Sequence, residues 1–171
     1  MRKTIIYTAL ISVIAPTIAI QSAHSAQITD LTLTITGGSL TISAPTTLNL
    51  GNASSPSVIS IEMGMVTVTD NRGILASNGW VVSAIASALT PAAGPTIAAS
   101  LIGYQAGAFL ETGTVTATAT NQTDLTGQTV VVTATLAPDS NQVSWTPKVI
   151  VQVPSGLAVG VYTGTITHSV V

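Results

Sequence analysis

The chain is 171 residues long, 46% hydrophobic and only 6% charged, with a formal charge of −2 and no cysteine. Four cations are too few to neutralise a phosphate backbone or to dock a basic face on anionic lipid, which argues against both partners. Without cysteine there is neither a disulfide framework nor a thiolate metal site.

Arg2 and Lys3 precede an uncharged, mostly apolar run over residues 4–20, followed by the small-x-small site Ala23-His24-Ser25. That layout predicts a secretory signal peptide over residues 1–25, helical in its apolar run, and a secreted, extracellular protein. Retention as an uncleaved anchor is the alternative, although the run sits near the lower limit of about 17–25 residues for a membrane span and contains Pro16. Residues 26–171 suit one domain with a substantial core. They hold two cations, Arg72 and Lys148, against six carboxylates, a formal charge of −4. The exterior is then expected to carry hydroxyls and amides, with no membrane contact after signal cleavage.

Period-two alternation dominates from there. Leu31 to Thr36 alternates leucine or isoleucine with threonine, Gly37-Gly38 supplies a turn, and Ser39 to Ser43 repeats the pattern, predicting a hairpin. Val66 to Thr69 is the next strand. Asp70-Asn71-Arg72-Gly73 is a turn, because Asp and Asn hydrogen-bond their own backbone and glycine accepts positive φ. Ser77-Asn78-Gly79 is a second turn. Further strands are predicted over residues 80–87, 113–120, 129–136, 149–153 and 162–170, separated by NASSPS, LTPAAGP, NQTDLTGQ, APDSNQ and VPSGLAVG. Residues 84–89 and 97–102 could pass for short helices; strand or loop is expected, with one helical turn near Ala98-Ala99. This spacing predicts an all-β protein, an antiparallel β-sandwich of Ig-like or Greek-key type following the signal-peptide helix.

Catalytic equipment is sparse. His168 is the one histidine beyond the signal segment, it lies in the last alternating strand, and no G-x-S-x-G elbow accompanies it. Glu62 and Glu111 are the sole glutamates, both in strand-like surroundings. Asp70-Asn71 and Asp139-Ser140-Asn141 lack the ligand spacing of a calcium loop. No catalytic residue, metal ligand or cofactor is therefore expected. Trp80 is expected to be a core residue entering a strand, with an exposed binding platform as the alternative. Arg72 could pair with Asp70 or stack on Trp80. Trp145, beside Pro147, is expected to cap the core, with stacking on a sugar ring as the alternative.

Taken together, VTVTDNRG, Gly79-Trp80 with its alternating apolar sequel, and the closing VPSGLAVGVYTGTITHSV resemble the WxL-type cell-surface domains of Gram-positive bacteria, in particular a divergent actinobacterial branch. The resemblance runs from about Asn49 to Val170. Trp80-Val81-Val82 stands at the first W-x-L triplet with valine for leucine. His168-Ser169-Val170 stands at the second with histidine for tryptophan, after a run in which Tyr162 and Ile166 fit. The resemblance implies one WxL-like β-domain over residues 26–171, non-catalytic and cell-wall associated, whose partners are peptidoglycan, a related glycan or other surface proteins. Trp80, Val82, Trp145, Tyr162, His168 and Val170 are the candidate binding residues. A self-assembling subunit of a surface layer or filament is the alternative function, because alternating strands with few edge charges invite pairing and residues 31–36 could be donated to a neighbour.

Overall fold

The computed structural model describes residues 27, 29–34, 36–73, 79–135 and 139–171. The signal segment, and parts of the predicted turn around Ser77-Asn78, lie outside them. Two units are distinguished, Met1–Thr34 and Ile35–Val171. In the first, the described residues form no strand and are exposed, with Leu31 at 93% and Leu33 at 85%. Of the hairpin predicted across Gly37-Gly38, residues 40–43 form a strand that pairs with residues 67–70, while the described residues 31–34 and 36 form none.

The second unit is all-β. Its strands are β1 (Leu40–Ser43), β2 (Ser57–Glu62), β3 (Val66–Asp70), β4 (Trp80–Ala86), β5 (Ile102–Gln105), β6 (Phe109–Thr112), β7 (Thr116–Ala119), β8 (Thr129–Thr135), β9 (Asn141–Trp145), β10 (Lys148–Val153) and β11 (Ile166–Val170). They form three antiparallel sheets in the orders β1-β3-β9-β6, β2-β10-β5 and β11-β4-β8-β7, a sandwich-like arrangement. A 3-10 turn, Ala99–Leu101, precedes β5, close to where a helical turn is expected.

Alternation explains which face each strand buries. Val66 and Val68 on β3, Trp80, Val82 and Ala84 on β4, and Val149, Val151 and Val153 on β10 all point into one core. Burial of each valine contributes roughly 1.5–3 kcal/mol. β8 departs from period two. Its register against β4 shifts between Val82↔Val132 and Ser83↔Val130, leaving Val131 as the extra residue, and Val131 and Val132 are both buried. A bulge of this kind bends the strand and lets consecutive side chains turn inward.

Several boundaries differ from the sequence reading. The strand expected over residues 113–120 begins only at Thr116, because Gly113 turns the chain at φ +87°. The one expected over residues 162–170 begins at Ile166: Gly164 packs so closely on Ala88 and Leu89 that a Cβ would collide. Residues 84–86 are strand, the reading preferred over helix for that run. β2, β5 and β6 were hidden in short runs next to loop-like composition. β9 starts at Asn141, inside APDSNQ, which composition alone assigns to a turn.

Candidate functional site

Pairing of β4 with β11 sets the two triplet positions side by side. Val82 lies opposite Val170, and Ala84 lies opposite His168. Trp80, Val82, His168 and Val170 thus share one sheet face, directed inward. Trp80 is 1% exposed, Val82 is buried, and His168 and Val170 are half-buried. The remaining two candidates lie apart: Trp145 is on β9 in another sheet, 2% exposed, and Tyr162 is in the loop before β11.

Each buried tryptophan satisfies its indole N–H. Trp80 Nε1 donates to Asn141 Oδ1 at 3.2 Å, and Asn141 Nδ2 donates to the Asp139 carbonyl at 3.2 Å. Beside this pair, Arg72 donates from Nε and Nη2 to the two carboxylate oxygens of Asp70, both at 2.9 Å, and reaches the Gly79 carbonyl at 3.3 Å. Arg72 therefore pairs with Asp70. The Arg72 backbone N–H also donates to Asp70 Oδ1 at 3.0 Å, the side-chain-to-backbone turn expected of this stretch. The Arg72 guanidinium holds the Asp70 carboxyl below its ordinary value, against the opposing effect of burial. The stretch from Val66 to Arg72 and the start of β4 are thus structural.

Trp145 Nε1 donates to the hydroxyl of Tyr104 at 2.9 Å, and that hydroxyl lies 3.3 Å from His168 Nε2. The Tyr104 and His168 rings meet edge-on with centroids 5.5 Å apart, and Phe109 meets Trp145 in the same manner at 6.0 Å. Burial pushes the Tyr104 phenol up and the His168 imidazole down, so both are neutral near pH 7. Neither residue lines the groove bordered by Leu48, Leu50 and Leu89. Tyr104 and Asn141 are the two members that sequence reasoning missed. Tyr104 sits in a four-residue strand with no long alternating pattern, and the scarcity of aromatics was the one available signal.

Two surfaces of the described residues are open to a ligand. The outward side of the β11-β4-β8-β7 sheet carries Thr167 and Ser169, Ser83, Thr133 and Thr135, and Thr116 and Thr118, interspersed with Val81, Ile85 and Val130. No Asp, Glu, Lys or Arg occurs in these four strands. The second surface is a groove in two connected parts, of about 350 and 900 Å³, sharing Leu48, Leu50, Leu89 and Val151. Its lining carries no charged side chain, and Tyr162 borders the wider part with its hydroxyl donated to the Ala158 carbonyl at 2.9 Å. Among the described residues no three His, Asp or Glu side chains gather as metal ligands, and no helix is long and apolar enough to cross a membrane. No family model matches the sequence, and neither a curated protein nor a solved structure matches it.

Proposed function

We propose that this is an exported, non-catalytic cell-surface protein, an Ig-like or Greek-key β-sandwich of the WxL type that associates non-covalently with cell-wall peptidoglycan or a related glycan. The observation that carries the reading is the charge-free hydroxyl face of β11-β4-β8-β7. Regularly spaced threonine and serine hydroxyls both donate and accept, matching the hydroxyls and amides of a polysaccharide. The absence of charge from these strands spares the large cost of desolvating ions when a polymer lies along them, leaving hydroxyls that the polymer can re-pair. Within this reading Trp80, Val82, His168 and Val170 act from beneath. They fill the core under β4 and β11 and hold the outward residues Ser83, Thr167 and Ser169 in register. With Trp80 and Trp145 buried, Tyr162 is the candidate aromatic left accessible, and it borders the groove and not this face.

The test is co-sedimentation of residues 26–171 with isolated Gram-positive cell walls. Wild type should bind saturably, and Thr118→Glu/Thr167→Glu, which charges two exposed positions, should lose most of that binding while keeping its circular dichroism spectrum. Absence of saturable binding by wild type, or full binding by the folded variant, would rule the reading out.

A further inference from the structure

We propose that the arm Leu31–Thr34 of one copy adds as a strand to the free edge of β2 in a second copy, sending its leucines into the wider groove. β2 is the edge of its sheet and pairs with β10. Its inward side chain Ile59 lines the wider groove together with Leu48, Leu50 and Val153. A strand added beside β2 would place its own inward side chains next to Ile59, over that apolar floor.

The arm has the matching chemistry. Leu31 and Leu33 are almost wholly exposed, they alternate with Thr32 and Thr34, and no charge follows Asp30 before Glu62. Two leucines held in water on an uncharged, strand-patterned arm are what an edge-seeking segment requires. The arm leaves the folded unit at a fixed point: Gly38 is pressed against the Asn71 carbonyl, and Asn71 N–H donates to the Ser39 carbonyl at 2.9 Å. From Gly38 an extended chain reaches Leu31 over about 23 Å, enough to cross to a neighbour. The adjoining β1 belongs to a different sheet from β2, so donor and acceptor sit on separate edges, the arrangement that propagates head to tail.

Alternation sets which side chains turn inward. The register proposed places Leu33 opposite Ile59 in either direction. Antiparallel addition brings Thr32 to Ser60, and parallel addition brings Thr34 to Ser60.

Among the described residues the core lies between Leu40 and Val170, so residues 26–171 suit the experiment. Sedimentation velocity without wall material should show the weight-average mass rising with concentration towards a dimer and beyond. Leu31→Asp/Leu33→Asp, altered outside the core, should melt like wild type and stay monomeric. Because the chain has no cysteine, a mixture of Thr32→Cys and Ser60→Cys proteins, or of Thr34→Cys and Ser60→Cys proteins, should give a disulfide-linked heterodimer on oxidation. The pair that links reports the direction. A monomer at every concentration, association unchanged in the double aspartate variant, or oxidation giving no heterodimer from either mixture would overturn the proposal. So would closure within a single Thr32→Cys/Ser60→Cys chain without heterodimer from the mixtures.

Discussion

Tyr104→Phe removes one oxygen atom from the centre of the molecule. The ring stays, so almost no volume is lost and no cavity cost is expected. What is lost is the acceptor for the Trp145 indole N–H, 2.9 Å away, in a site where Tyr104 is fully buried and Trp145 nearly so. Leaving a buried donor without a partner costs about 1–3 kcal/mol, more than the net worth of an ordinary hydrogen bond. For a chain of this size that is a fall in Tm of roughly 2–12 °C. Urea unfolding followed by tryptophan fluorescence reads the change directly, because Trp145 is one of only two reporters. A double-mutant cycle with Trp145→Phe separates the bond from the packing, and the coupling should be at least about 0.5 kcal/mol. A Tyr104→Phe protein within about 0.5 kcal/mol of wild type, or a cycle that is additive, would refute the assignment of Tyr104 as the polar anchor of the core.

Two further predictions concern charge. Arg72→Ala should cost about 1–3 kcal/mol in urea unfolding, less than a fully buried pair because Arg72 is partly exposed. Asp70→Asn should cost less, because it leaves Arg72 free to reach water and keeps an acceptor for the Arg72 backbone N–H. The opposite order would contradict the placement of Asp70 as the buried partner. Stability should also fall towards acid in two steps. His168 is held below its ordinary value of 6.5, so as pH drops through that value the unfolded chain takes up a proton that the folded one resists, and stability declines until the folded value is passed. Asp70 repeats this below 3.8, its contribution being present above that pH and lost as pH falls through its lower folded value. His168→Gln should abolish the first step and spare the second, as measured by Tm across a pH series.

Trp80 shows how far local pattern reaches. Its position after a turn and its shared parity with Val82 predict a core residue, and the structure places it there. Asn141 shows where pattern stops. An asparagine within APDSNQ has every local mark of a turn, yet it is buried on β9 as the acceptor for that same indole. A polar side chain reveals such a role only through a partner 61 positions away in the chain. Leu31 to Thr36 errs in the other direction: its alternation is clear, and its described residues still form no strand.

By itself, then, the sequence determined the all-β class, the inward parity of most strands, the Asp70–Arg72 turn and the scarcity of charge. These follow from side-chain chemistry at separations of one to four residues, where backbone geometry alone sets who meets whom. Tertiary structure decided the rest: which strands pair, the meeting of Trp145, Tyr104 and His168, the hydroxyl face formed by four separated strands, and the open edge of β2. Antiparallel partners are chosen by the total apolar surface they remove from water together, a property of the assembled sheets and not of any one segment.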